Sequence, residues 1–82
     1  MGEEVEVSEP KLGSVWRHYK GGMYVVVGIA KHSETLETMV AYCRTDSNEV
    51  WVRPLQMWHE LVDLNGKTVY RFTLQHTDQI NG

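Results

Sequence analysis

The sequence has few cysteines, which stabilise many small domains through disulfides or metals, and no long apolar segment of the kind that spans a membrane. Cys43 is the single cysteine of the 82 residues, so no intramolecular disulfide can form and no cysteine-based metal framework exists. We expect its thiol to be buried and inert. No apolar run approaches the roughly 20 residues that a membrane helix needs, and the acidic amino terminus is unlike a secretory leader. We therefore expect a cytoplasmic protein.

The central part of the chain also lacks a large excess of either positive or negative charge. The net charge is -3, but Glu residues crowd the first ten positions. Positions 11–74 hold eight Lys and Arg against six Asp and Glu, a balance of +2. Such a domain lacks the dense basic surface of a dedicated nucleic-acid binder. The predicted organisation is a disordered acidic tail over 1–10, one domain over 11–74 and a C-terminal tail over 75–82.

Turn residues divide the central part into short strands. Gly21-Gly22 and Asn65-Gly66 are two-residue hairpin signals, because these residue types tolerate positive φ. Gly28 interrupts a Val-rich strand over 23–31 and predicts a bulge or a bend there. Pro54 lacks an N–H and ends a ladder, so 55–59 is predicted to be a helical turn.

Short strands at this spacing predict an all-β fold, mainly antiparallel, with five or six strands in a small closed or half-open barrel. Alternation along the strands then predicts which side chains form the core. The predicted core residues are Met23, Val25, Val27, Ile29, Met39, Ala41, Val52, Leu61, Tyr70 and Phe72.

One predicted hairpin carries the most informative side chains. A four-residue turn over 46–49 would join Tyr42-Cys43-Arg44 to Trp51-Val52-Arg53. Arg44 would then lie opposite Trp51, and Tyr42 opposite Arg53, because side chains alternate between the faces of a strand. One face of the hairpin would present two guanidinium groups and two rings.

Other residues extend this surface to eight candidate ligand-binding positions. Arg17 and Tyr19 repeat the arginine and ring at i and i+2, and His32 and Glu34 are predicted at the rim. Guanidinium groups bind carboxylate or phosphate in bidentate fashion, and rings stack on flat ligands. The alternative is that each arginine stacks on a ring for stability alone, with Glu34 as the internal counter-ion. The candidate residues are Arg17, Tyr19, His32, Glu34, Tyr42, Arg44, Trp51 and Arg53.

Several segments in order give the chain a resemblance to a known family. They are Gly13, Arg17-His18-Tyr19-Lys20-Gly21, Tyr24, Gly28, Ala30, His32-Ser33-Glu34-Thr35, Tyr42, Trp51-Val52-Arg53-Pro54 and Met57. Over 13–74 the chain resembles domain of unknown function 1653, a family of small bacterial and phage proteins associated with an SH3-like barrel. The resemblance implies this fold and no activity. Trp16, Lys31 and Trp58 replace the usual Tyr, Arg and Phe, which are conservative changes.

Catalysis and metal binding are weaker alternatives. A hydrolase would use His18 or His32 as general base near Ser33 or Glu34, but no glycine-flanked nucleophile elbow surrounds the serine. Stabilisation of a turn by the hydroxyl groups of this loop is favoured instead. The histidines and Cys43 do not stand at a recognised ligand spacing, so neither a metal nor a cofactor is predicted.

The sequence therefore favours a non-enzymatic binding module. Its partner would be anionic or would carry aromatic rings, and nucleic acid, a nucleotide and an acidic peptide all fit the +2 balance. A small hydrolase and a module for homo-oligomerisation or protein–protein interaction stay as alternatives.

Overall fold

The computed structural model describes residues 8–76, which form seven strands and one helical turn. The all-β prediction is confirmed, although the strands number more than five or six. The elements are β1 (Val15–His18), β2 (Met23–Lys31), β3 (Thr38–Arg44), β4 (Val50–Pro54), α1 (Leu55–Trp58), β5 (Leu61–Leu64), β6 (Lys67–Tyr70) and β7 (Phe72–His76).

Five of the strands form one antiparallel sheet in the order β4-β3-β2-β1-β7, and β5 pairs with β6 in a separate two-stranded ribbon. Within residues 8–76, β4 and β7 are the edges of the sheet and no pairing joins them. The sheet is therefore open, and closure into the predicted SH3-like barrel is not confirmed.

Both two-residue turn signals mark hairpins. Gly21 and Gly22 have φ of 100° and 93° between β1 and β2, and the connection over 19–22 is longer than the two residues predicted. Within it, the Lys20 amide donates to His18 Nδ1. Asn65 and Gly66, with φ of 52° and 83°, join β5 to β6 in the tight turn that needs two positive values.

The strand predicted over 67–74 is interrupted at Arg71. The Arg71 amide donates to the Glu60 carbonyl at 2.8 Å, and its Nε and Nη2 donate to Glu60 Oε1 at 3.2 and 2.9 Å. These bonds hold the point where the chain leaves the ribbon and enters β7. The last strand then lies beside β1, with His18 opposite Phe72.

A bulge in β2 decides which side chains face the core. Val26 pairs with Tyr42 and Gly28 with Ala41, so Val27 is an extra residue, and of the bulge or bend predicted near Gly28 the bulge is observed. Because of this insertion, Val26 is buried before the bulge and Ile29 packs against the core after it.

The predicted core was largely wrong. Both faces of β2 and β3 are apolar, so alternation alone did not show which face would be covered. Phe72 is buried and Ile29 packs on the core as predicted, but the other predicted side chains are half-buried (Met23, Val25, Met39 and Ala41) or exposed (Val27, Val52, Leu61 and Tyr70). The buried hydrophobic residues are Trp16, Val26, Val40, Tyr42, Leu55, Trp58 and Phe72.

The predicted helical turn supplies the centre of this core. Trp58 is 0% exposed and stacks on Phe72, with ring centroids 4.0 Å apart and planes 8° apart. Trp16 and Tyr42 approach the Trp58 ring edge-on, at 5.5 and 5.0 Å. Four aromatic residues thus account for most of a core that a chain of this size can build only from large side chains.

The predicted tails lie mostly outside the described residues, since 1–7 and 77–82 are not described. Of the rest, the Ser8 carbonyl accepts a hydrogen bond from His59 Nε2 at 2.8 Å and Pro10 is buried. β7 extends to His76, two residues into the segment predicted as a tail. Among residues 8–76, no helix has the length and apolar character needed to cross a membrane.

Candidate functional site

A hollow of about 250 Å³ opens beside the β4 edge of the sheet, on the face that carries the core. We call it the cup and define it by its lining residues. They are His18, Tyr24, Tyr42, Arg44, Ser47, Glu49, Trp51, Arg53 and Phe72.

The pairing of three strands brings the cup together. Tyr42 lies opposite Trp51, Val40 opposite Arg53, and Tyr24 opposite Arg44. The hairpin register differs by two residues from the prediction, because the connection between β3 and β4 is longer than four residues. A register shift of two residues leaves each side chain on the same face of the sheet. The predicted convergence of Tyr42, Arg44, Trp51 and Arg53 on one face is therefore observed.

Aromatic rings form the wall of the cup. Tyr24 meets Tyr42 and Phe72 edge-on, with centroids 5.6 and 5.8 Å apart, and His18 meets Phe72 at 5.1 Å. Phe72 also stacks on Trp58, so the wall is continuous with the core. Its flat, rigid surface is of the kind on which planar ligands stack.

Arg53 is the least satisfied charged group of the cup. Its side chain is half-buried, and its Nε is shielded from solvent without a hydrogen-bond partner among residues 8–76. Salt bridges within the same residues join Arg44 to Asp46 and Arg71 to Glu60, and none involves Arg53. A desolvated cation without a counter-charge costs free energy that an acceptor would recover. The terminal nitrogens of Arg53 are the donors that a ligand can reach.

Arg44 occupies the mouth of the cup and is already paired. Its Nε lies 3.1 Å from Asp46 Oδ1, and its guanidinium lies over the Tyr24 ring at 5.8 Å. The hydrogen bond to Asp46 raises the pKa of Arg44 and lowers the pKa of the carboxyl group. A Cβ at Gly22 would stand 3.1 Å from Arg44 Nη1, so the glycine gives the guanidinium room to lie there.

The pKa of His18 indicates a positive electrostatic potential in the cup, where its ring lies beside Phe72. Its pKa is lowered, first by desolvation and then by the positive charges of Arg71, Arg53 and Lys20. Cations on several sides thus oppose protonation of the ring. The same potential attracts an anion.

Two of the predicted site residues lie elsewhere on the sheet. Arg17 alternates away from Trp16 and His18 and is exposed. With Tyr19 it borders a second hollow of about 190 Å³, shared with the β5–β6 ribbon. The Tyr19 ring carries two cations, Lys20 at 5.7 Å and Arg71 at 5.9 Å.

The remaining two predicted site residues, His32 and Glu34, lie at the far end of the β2–β3 hairpin. β2 separates His32 from the cup by about eight residues of strand, or roughly 25 Å. His32 Nδ1 accepts hydrogen bonds from the amides of Glu34 and Thr35, so its ring organises the loop. Thr35 Oγ1 accepts from Glu37, as predicted for a hydroxyl in this turn. Glu34 makes no salt bridge with residues 8–76, and Asp46 is the counter-ion of Arg44 instead.

The sequence analysis did not predict several residues that line the cup. His18, Tyr24 and Phe72 line the cup beside the predicted residues, and so does Glu49 at its mouth. The sequence prediction placed Met23, Val25 and Val27 in the core and did not assign Tyr24 to the site. The shared face of Tyr24 and Tyr42 follows only from the pairing of Val26 with Tyr42.

Within residues 8–76, no group of three or more His, Cys, Asp or Glu side chains is arranged to hold a metal ion. Cys43 is half-buried and, by alternation, lies on the other face from Tyr42.

The fold and the cup define a class of small antiparallel-sheet domain with an aromatic, arginine-bearing hollow beside the edge strand β4. Residues 14–74 match the family described as Protein of unknown function (DUF1653), and the chain belongs to this family. The predicted family is thereby confirmed. A crystal structure of a DUF1653 protein from Bordetella bronchiseptica is 30% identical, with a TM-score of 0.74, and the alignment covers 93% of this chain and 100% of that one. No curated protein matches the chain.

Proposed function

We propose that the domain is a non-enzymatic binding module whose cup holds an anionic group joined to a flat ring. The observation that supports it is Arg53, a half-buried cation without a salt bridge to residues 8–76, placed among aromatic side chains. Guanidinium groups bind phosphate and carboxylate oxygens strongly when partly desolvated. The rings beside it offer a stacking surface.

The size of the cup narrows the ligand. A volume of about 250 Å³ lies just below the range of roughly 300–1,000 Å³ that is typical of small-molecule sites. It accommodates one base or one phosphate with part of its sugar, so a mononucleotide or one nucleotide of a single strand is the proposed ligand. Duplex nucleic acid is not favoured, because the cup offers only two arginines and the domain carries a balance of +2.

An acidic peptide shares the anionic group but lacks the flat ring. The half-exposed Trp51 indole and the Tyr24 ring favour a ligand that stacks. The choice between nucleotide and peptide is therefore an outcome of the test below.

The hydrolase alternative gains no supporting observation. His18 lies at the cup, whereas Ser33 lies in the loop at the other end of β2, and the Nδ1 of His32 is engaged by backbone amides. A cytoplasmic location and a bacterial or phage origin stay predictions.

Titration with fragments of a nucleotide tests the proposal. Adenosine monophosphate, adenosine, inorganic phosphate and a short polyglutamate peptide are added separately, with calorimetry and tryptophan fluorescence as readouts. We expect the monophosphate to bind more tightly than either fragment and to quench an emission that Trp51→Phe removes. Affinity should fall only modestly with salt, because two phosphate-type contacts release few counter-ions.

The double variant Arg44→Ala/Arg53→Ala is the decisive control, since it removes both guanidinium groups of the cup. Loss of binding in this variant supports the site. Undiminished affinity for the monophosphate would remove the cup from consideration, and tighter binding of polyglutamate than of any nucleotide would assign the module to acidic peptides.

A further inference from the structure

The edge strand β4 has a sequence that is complementary to itself. The segment from Glu49 to Arg53 reads Glu-Val-Trp-Val-Arg. If two copies pair antiparallel about Trp51, the glutamate of one copy lies opposite the arginine of the other, and Val50 lies opposite Val52. Both charge pairs and both apolar pairs are satisfied in the same register.

Three observations on the structure make this pairing available. Within residues 8–76, β4 lies at the end of the sheet, so one side of its backbone has no strand partner. Val50 and Val52 are 57% and 58% exposed on the outer face. Glu49 and Arg53, on the cup face, form no salt bridge within the described residues.

We propose that β4 is a homodimer interface in which a second copy of this chain continues the sheet across a two-fold axis at Trp51. Residues that face each other across an antiparallel pair have Cβ atoms about 5 Å apart, within reach of a Glu–Arg ion pair. Pro54 ends the strand and confines the pairing to a short register.

The dimer would also enlarge the site. A two-fold axis perpendicular to the sheet keeps both cups on the same face, with the two Trp51 indoles side by side between them. Arg53 carries four terminal N–H donors, enough to meet Glu49 of the second copy and an anion in its own cup. The inference is separate from the proposed function, because neither needs the other.

A five-residue edge buries less surface than the roughly 1,600 Å² of a standard interface. We therefore expect a dimer that dissociates on dilution. Self-association of an exposed edge is usually blocked by lysine or an inward charge. Glu49, just before β4, and Arg53, within it, instead lie at matching distances from Trp51, which favours one partner over indiscriminate pairing.

Charge reversal tests the register. Sedimentation equilibrium should show a species of twice the 9.5 kDa chain mass that falls apart on dilution. Glu49→Arg and Arg53→Glu should each weaken association by roughly tenfold or more, because like charges then face each other. The double variant, and an equimolar mixture of the two single variants, should both restore it.

A cross-linking variant tests the axis independently of charge. Trp51→Cys in a Cys43→Ser background should oxidise to a disulfide-linked dimer, since facing Cα atoms about 5 Å apart suit a disulfide. Thr73→Cys on the exposed part of β7 is the matched control and should not cross-link.

Wild-type protein that stays monomeric at all concentrations, or a double variant no better associated than either single variant, would overturn the proposal. The two proposals fail separately, because the charge-swapped double variant should dimerise yet lose the Arg53 that the cup needs for the monophosphate.

Discussion

The aromatic cluster of this domain has a closed end and an open end built from the same residue types. At the closed end, Trp58 is fully buried and stacked on Phe72 at 4.0 Å. At the open end, Trp51 is 53% exposed on an edge strand. Tyr42 lies between the two ends, because it is opposite Trp51 across the β3–β4 pair and meets the Trp58 ring edge-on at 5.0 Å.

The difference between the ends is what surrounds the rings. Trp58 is enclosed by Trp16, Tyr42 and Phe72, so its ring area stabilises the fold, although its Nε1 is buried without a hydrogen-bond partner among residues 8–76. Trp51 has a strand on one side only and shares its surroundings with Arg53. Trp51 therefore contributes little to stability and lies beside a guanidinium group that has no salt bridge within residues 8–76, and the proposed function depends on this arrangement.

Trp58→Ala should have the largest effect of the changes considered. Removing a fully buried indole leaves a cavity and should lower the free energy of unfolding by about 3–5 kcal/mol. Urea denaturation measures the loss. Trp51→Ala is the matched control and should cost under about 1 kcal/mol, because half of its surface is already exposed. Equal losses would erase the distinction between the two ends.

Arg53→Ala should leave stability nearly unchanged and weaken binding. Charged hydrogen bonds are worth about 1.5–3 kcal/mol, which predicts roughly 10- to 100-fold lower affinity for adenosine monophosphate by calorimetry. Arg17→Ala removes the same charge from the outer face of the sheet. It should bind like the wild type, and a comparable loss there would indicate a diffuse charge effect rather than a site.

Gly22→Ala should lower stability less than Trp58→Ala does, and it should also alter the cup. Its φ of 93° is unfavourable for alanine and should cost about 1–2 kcal/mol. The new Cβ would also displace Arg44. Gly21→Ala shares the strain, at φ of 100°, but meets nothing within 4 Å. Both variants should lose stability in denaturation, and only Gly22→Ala should change the affinity for the monophosphate.

Asp46→Asn should have the smallest effect, visible only in its pH dependence. Pairing with Arg44 lowers the folded-state pKa of Asp46, so the contribution of the pair is present above the unfolded pKa of about 4 and is lost as pH falls through the lower folded value. Denaturation curves of the variant and the wild type should therefore converge in acid. A gap that widens below pH 4 would contradict this sign.

The turns and the hairpin could be predicted because they depend on local chemistry. Positive φ selects glycine and asparagine at Asn65-Gly66, and Pro54 is the last residue of β4 because it has no N–H to donate to a ladder. The face shared by Tyr42, Arg44, Trp51 and Arg53 also followed from alternation. This prediction of a shared face was correct although the predicted hairpin register was wrong by two residues, because side chains alternate with a period of two.

The core face could not be predicted because it depends on distant contacts. Alternation in β2 was compatible with burial of either side, and Trp58 and Phe72, far along the chain, selected the side that carries Val26. The break at Arg71 likewise depends on Glu60, eleven positions away. Placing His32 and Glu34 near the cup was an assumption about loop proximity, and the length of β2 places them at its far end.

The most direct test of the account is the protonation of His18, measured by NMR on the ring with and without adenosine monophosphate. In the free protein, desolvation and the charges of Arg71, Arg53 and Lys20 hold its pKa below the ordinary value of about 6.5. An anion in the cup should raise this pKa, and Arg53→Ala should abolish the rise. A His18 pKa that is the same with and without saturating monophosphate would contradict the claim that the cup binds an anion.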